Sequence, residues 1–192
     1  MGSETKIGKI LHIIGCIVGC IFINIAQSDA SSYRIKQSEV SLPKGASYGL
    51  YRRTITPFEF WTLICDEDAM KKQRICNVTQ NIEDAEDAFV FSWSLVGTEG
   101  GKPVFILRAP AALGASRVIQ LRLNGEKKPV DIKTTACDEN ICLATQPVGP
   151  ILRKHLEKGS DVVISFKEAG KKNTTINTTL QGVTDAMSNI PR

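Results

Sequence analysis

Phe89-Val90-Phe91-Ser92-Trp93-Ser94-Leu95 is the stretch on which the fold class turns. Phe89, Phe91, Trp93 and Leu95 alternate with Val90, Ser92 and Ser94. Successive side chains of a strand point to opposite faces, so this alternation predicts a strand packed on a core by its aromatic side. Aromatic and β-branched residues also suit a pleated, half-buried surface.

The same period of two recurs outward in both directions. Ile119, Leu121 and Leu123 share a face, as do Val162, Ile164 and Phe166, and Ile176 and Leu180. Upstream, Phe58, Phe60, Thr62 and Ile64 alternate with Glu59, Trp61 and Leu63. Weaker strand patterns lie at 74–80, 103–108, 129–135 and 141–146. Glu99-Gly100-Gly101-Lys102, Asn124-Gly125 and Gly170 supply turn chemistry between them. Only Ile151 to Lys158, stopped by Gly159, and a last turn from Thr184 to Ser188 read as helical. Eight to ten short strands at this spacing predict an all-β fold, an antiparallel β-sandwich or flattened barrel with one or two short helices, over 58–192. Residues 31–57, broken by Ser31-Ser32 and Pro43-Lys44-Gly45, read as a weakly ordered N-terminal arm.

The first thirty residues place the domain in a compartment. Lys6 and Lys9 precede an uncharged run from Ile10 to Ala26, and Ser28-Asp29-Ala30 offers the small residues a signal peptidase accepts. That order is a secretory signal over 1–30. Two other fates remain open on sequence: retention as a membrane anchor, or lipid attachment at Cys20 or Cys16. The chain touches a membrane only through this segment, and only if it is kept or lipidated. The protein is therefore expected in the periplasm, on the outer surface or secreted.

Four cysteines follow the signal: Cys65, Cys76, Cys137 and Cys142. An even count in an oxidising compartment points to disulfides. Three pairings are possible. Cys65–Cys76 and Cys137–Cys142 are favoured because each pair flanks a polar turn, Met70-Lys71-Lys72-Gln73 and Asp138-Glu139-Asn140, between strand patterns. A four-cysteine zinc site is the alternative. Neither pair has the tight C-x-x-C spacing that such sites and redox motifs use.

Little else carries chemistry. The two positive and two negative residues of the signal cancel, so the net charge of +4 stays with the domain. The basic residues are scattered, without the stripe and interleaved aromatics of a nucleic-acid surface. His155, on the apolar side of the predicted helix, reads as structural and surface-packed; no nucleophile frame accompanies it. Glu83-Asp84-Ala85-Glu86-Asp87 and Asp66-Glu67-Asp68 read as solvated acidic loops without calcium-loop spacing. Gly97 to Lys102 lacks the phosphate-loop pattern. No catalytic residue, metal site or cofactor is expected.

Taken in order, Phe60-Trp61-Thr62-Leu63-Ile64-Cys65, Cys76-Asn77-Val78-Thr79-Gln80, Leu107-Arg108-Ala109-Pro110, the Cys137/Cys142 pair and Leu180-Gln181-Gly182-Val183-Thr184-Asp185-Ala186-Met187 resemble the invasion-associated locus B family of alphaproteobacterial envelope proteins. The resemblance runs from Phe58 to Met187, roughly two-thirds of the chain. It departs from the family pattern in the long arm and in Val183, where an aromatic is usual. It implies an exported, β-rich, disulfide-containing protein. The family's name implies a part in host-cell invasion, with a host-cell surface or an envelope component as partner. It implies no catalytic mechanism, cofactor or defined ligand. A periplasmic housekeeping role and an unrecognised hydrolase are the competing expectations, and the oligomeric state is left open.

Cleavage after Ala30 is checked by intact mass. The expected N-terminus is Ser31, and an acyl adduct on Cys20 or Cys16 would show lipid attachment instead.

Overall fold

The computed structural model describes residues 33–36, 49–97, 101–114 and 117–190. The export signal read over 1–30, arm residues 37–48 and the first half of the Glu99–Lys102 turn lie outside the described residues. In chain order the elements are β1 (Arg34–Lys36), β2 (Tyr51–Pro57), β3 (Thr62–Asp68), β4 (Gln73–Glu83), β5 (Phe89–Gly97), β6 (Pro103–Pro110), β7 (Val118–Leu123), β8 (Val130–Cys137), β9 (Ile141–Pro147), α1 (Pro150–Lys158), β10 (Asp161–Lys167), β11 (Asn173–Thr179) and α2 (Val183–Ser188).

The strands form one antiparallel sheet in the order β11-β10-β7-β8-β9-β6-β5-β4-β3-β2, with β1 added beside β4. The sheet folds into two layers at β8. Val130 to Lys133 pair with β7, whereas Thr134 to Cys137 pair with β9, with a bulge between Thr134 and Ala136. A strand that changes layers at a bulge makes the corner of a sandwich. The sheet does not close: β2 and β11 stay at its two ends.

The core lies between the layers. Phe91, Trp93, Leu95, Phe105 and Leu107 from one side meet Ile119, Leu121, Ile164, Phe166 and Ile176 from the other, all essentially inaccessible. Ring centroids lie 5.0 Å apart for Trp93 and Phe105, 5.4 Å for Trp61 and Trp93, and 6.2 Å for Phe91 and Phe166. The last pair spans the layers. Each such contact adds about 0.5–1.5 kcal/mol beyond the area it buries.

Three local expectations change. Phe89 does not join the aromatic face: it is 41% exposed while Val90 is buried. Ile82 pairs with Phe91 but Glu83 with Phe89, so β5 carries an extra residue at Val90, and the bulge turns Phe89 outward. Residues 58–61 are not strand, and the core takes Trp61, Leu63 and Cys65 rather than Phe58 and Phe60. The described part of the arm is largely strand. It supplies β1 and β2, and β2 pairs along its whole length with β3. Arg34 and Lys36 of β1 bracket the largely buried Glu83, with Lys36 Nζ 3.2 Å from its carboxylate, while Ile35 between them packs against the core, so charge and apolar contact together dock this strand.

The helix α1 starts on Pro150, whose missing N–H costs nothing in a first turn. It ends on Gly159 at φ 60°, in the left-handed region. A Cβ there would meet Gln181 Cα at 3.0 Å, so both conformation and space demand glycine.

One polar side chain is fully committed inside the core. Gln80 on β4 is 1% exposed. Its Oε1 accepts from Trp93 Nε1 at 2.8 Å and from Thr178 Oγ1 at 2.6 Å. Its Nε2 donates to Phe60 O at 3.0 Å and to Thr179 O at 3.3 Å. Gln80→Leu strands several buried donors and acceptors, each costing about 1–3 kcal/mol, so a loss of about 2–4 kcal/mol is expected in denaturant unfolding. Full stability in that variant would show that the network contributes nothing.

Candidate functional site

The β3–β4 hairpin carries the most developed surface. Cys65 and Cys76 stand directly opposite in the register and are joined by a disulfide, with Cα atoms 4.1 Å apart. Beyond that bridge the strands leave the core, and charge replaces apolar packing on both faces. On the core-side face Arg52, Glu67 and Arg74 form one row across β2, β3 and β4. Arg52 Nε donates to Glu67 Oε2 at 3.0 Å and Arg74 Nη2 to Oε1 at 3.2 Å. On the other face Arg53 grips Asp66 through both carboxylate oxygens, with Nη2–Oδ2 at 2.8 Å and its guanidinium 5.9 Å from the Tyr51 ring. The turn is held by Asp68, whose Oδ1 accepts from the N–H of Met70 at 3.0 Å and of Lys71 at 3.1 Å.

These contacts set the protonation of the cluster. The Arg53 guanidinium holds the Asp66 carboxyl below its ordinary value. Arg52 does the same for Glu67, and the Lys71 N–H does so for Asp68. Burial, with Asp66 beside it, raises the Tyr51 hydroxyl. On this rigid frame sit two apolar side chains in solvent, Met70 at 72% and Ile75 at 68% exposure, with Leu50 nearby in the chain that leads into β2. Exposed apolar groups on a braced, charge-rimmed tip have the composition of a contact surface.

The second disulfide has the same construction. Cys137 and Cys142 face each other across the β8–β9 hairpin, Cα atoms 4.0 Å apart. Asp138 Oδ1 accepts from the N–H of Asn140 and of Ile141, both at 2.8 Å, which lowers its pKa. With such short loops, each bridge constrains the unfolded chain by roughly 2–3 kcal/mol.

His155 is buried at 5% exposure, not at the surface. Nδ1 lies 2.9 Å from Ser160 Oγ and Nε2 3.2 Å from Glu126 Oε1. The connectivity is that of a serine–histidine–carboxylate set, but the surroundings differ. Acyl transfer needs N–H donors aimed at the developing oxyanion. The N–H of Gly159 is bonded to Leu156 O and that of Ser160 to His155 O, so the backbone beside Ser160 has no donors to spare. The histidine instead fastens the β7–β8 turn to the end of α1. Above it opens a polar cavity of about 370 Å³, rimmed by Lys154, Lys158 and Asn124.

The acidic run 83–87 is likewise spoken for. Glu83 faces Arg34 and Lys36, Asp87 pairs with Arg34, and Asp84 Oδ1 accepts from the N–H of Glu86 at 3.1 Å and of Ala88 at 2.9 Å. These carboxylates dock β1 and close the β4–β5 turn.

With this geometry in view, the profile of the Invasion associated locus B (IalB) protein family matches residues 61–191. The chain belongs to that family. Among solved structures, invasion associated protein b from Bartonella henselae is similar at a TM-score of 0.57 and 14% sequence identity, over 70% of this chain and 92% of that one. At that identity the likeness speaks for the fold. No curated protein matches the chain. The IalB region begins at Trp61, so β1 and β2, with the Arg34, Arg52 and Arg53 halves of the ion pairs, lie outside it. Of the motif residues, Trp61 and Gln80 sit in the core, whereas Arg108 is half-buried on the outer face and donates to Ser94 Oγ at 3.0 Å.

Sequence alone places the four cysteines and His155 but misses Ser160, Glu126 and Gln80 as partners. The Gly159-Ser160 pair just after the helix was the one local signal. Glu126, 29 residues from His155, left none.

Asp66 titrates below the ordinary carboxyl value of 3.8 when folded. Its contribution is therefore complete above about pH 4 and is lost as pH falls through the lower folded value. Asp66→Asn is expected to lower stability at pH 7 by about 1 kcal/mol or less, with the gap to the parent closing below pH 3–4. Urea unfolding across pH 2–7 checks this; a gap that widens in acid would refute it.

Proposed function

We propose that this chain is an exported, virulence-associated protein without enzymatic activity, and that the β3–β4 hairpin end is the surface through which it contacts a host cell. The observation that carries the proposal is the pair of exposed apolar side chains, Met70 and Ile75, on a tip braced by Cys65–Cys76 and by the Arg53–Asp66 pair. Apolar anchors held rigid lose little freedom on binding, and a polar rim supplies orientation. Two disulfides support an oxidising compartment outside the cytoplasm. No helix among the described residues is long and apolar enough to cross a membrane. The family's name and that of the Bartonella henselae neighbour, invasion associated protein b, support the host-directed reading.

The test joins location and contact. In protease shaving of intact cells the protein is expected to be cut while a periplasmic control survives. The purified domain should bind host cells saturably. Met70→Ser with Ile75→Ser should lower that affinity at least tenfold at unchanged melting temperature. Protection until the outer membrane is opened, with no saturable binding, would leave a periplasmic role assisting other envelope components in its place.

A further inference from the structure

The geometry points to a second, separate site: the cavity between the β7–β8 turn and α1 binds the sulfate or phosphate ester groups of an anionic glycan. Most basic residues of the β2–β3–β4 end have a carboxylate partner: Arg52 and Arg74 share Glu67, Arg53 holds Asp66 and Lys71 holds Asp68. Arg34 and Lys36 are matched to Glu83. At the α1 end the matching stops. Lys154 and Lys158, one helical turn apart, both line the cavity of about 370 Å³, and Lys127 and Lys128 follow Glu126 in the turn that forms its other wall. All four are exposed, and among the described residues none has a carboxylate partner.

Glu126 is the one carboxylate lining this cavity, and it is engaged by His155. That bond fixes the two walls relative to each other, so the ammonium groups border a preformed space rather than a flexible loop. Asn124 and Ser160 add neutral polar groups to the lining. Lys154 and Lys158 border this opening and Lys127 and Lys128 follow in the adjoining turn; together they outweigh the single carboxylate of Glu126, so an anion entering it meets ammonium donors. The volume suits a single charged sugar unit. A chain of such units would continue along the lysines of the turn. Lysine, a compact point charge with rotatable donors, can meet ester groups presented at varied angles.

The probe is a heparin-derived hexasaccharide, titrated into the mature chain at 50 and 150 mM salt. Saturable binding that weakens with salt is expected, together with movement of the His155 ring resonances. Lys154→Ala with Lys158→Ala should weaken binding at least tenfold. Lys133→Ala with Lys172→Ala, which removes the same charge elsewhere, should change it less than twofold. Equal losses in the two pairs, or unmoved His155 resonances, would reduce the effect to net charge and overturn the site. Binding to phosphatidylglycerol vesicles that depends on Lys154 and Lys158, with none to the hexasaccharide, would overturn the glycan in favour of a lipid headgroup. Because Met70 and Ile75 lie in a different hairpin, failure here leaves the host-contact reading untouched, and the reverse also holds.

Discussion

Everything in this fold hangs on how an open sheet keeps its two layers together. Strand pairing alone leaves β11 at one end of the order and β4 near the other, with no backbone ladder between them. Gln80 bridges that gap. One primary amide holds the β5 indole, the 58–61 loop and two consecutive residues of β11, through four hydrogen bonds. A buried amide left half-satisfied would cost more than an apolar residue in its place. Complete satisfaction makes it specific instead, because only one alignment of β11 against β4 meets all four demands. The aromatic stack of Trp61, Trp93 and Phe105 packs around the same point, so the polar fastening and the densest apolar contact share one location.

What could be read from the chain, and what could not, divides along the range of the interactions involved. The alternations at 119–123 and 162–166 each carry their own one-sided apolar pattern, and they form β7 and β10 with the predicted face inward. At Phe89 the pattern misleads, because a bulge is a property of the pair β4–β5 and not of either strand. At 58–64 both faces are apolar. The choice between Phe60 and Trp61 is then made by what lies opposite, which local sequence cannot show. The β2 strand was hidden by Arg52 and Arg53. Their partners Glu67 and Asp66 sit fifteen and thirteen residues on, so a charged segment that looks unstructured alone becomes a strand once β3 is beside it. The candidate sites follow the same rule. Cysteines announce themselves, whereas the His155–Glu126 bond and the lysine-rimmed cavity exist only after the layers fold.

The two candidate surfaces consequently have different characters. One is covalently braced, threaded with ion pairs and tipped with apolar groups. The other is concave and bordered by lysines without carboxylate partners among the described residues. Charge of this kind speeds encounter with an anionic surface and falls off with salt, while apolar anchors act only at contact and hardly respond to salt.

The disulfides belong to this logic through register rather than bulk stability. Each joins residues already opposite in a hairpin, where the closed loop is short and the entropic gain correspondingly modest. Their positions are more telling than their energy. Cys65–Cys76 occupies the last row of the core-side face before Glu67 and Arg74, directly beyond Leu63 and Val78. A slip of one residue there would turn charged groups into the apolar layer. Cys137–Cys142 follows immediately after the bulge at Thr134–Ala136, the place where β8 changes layers and the register is reset. Both bridges thus stand where a loss of register would be most costly. In a sheet with two free ends, a covalent tie at such points preserves the shape of each hairpin even when the neighbouring strands fray.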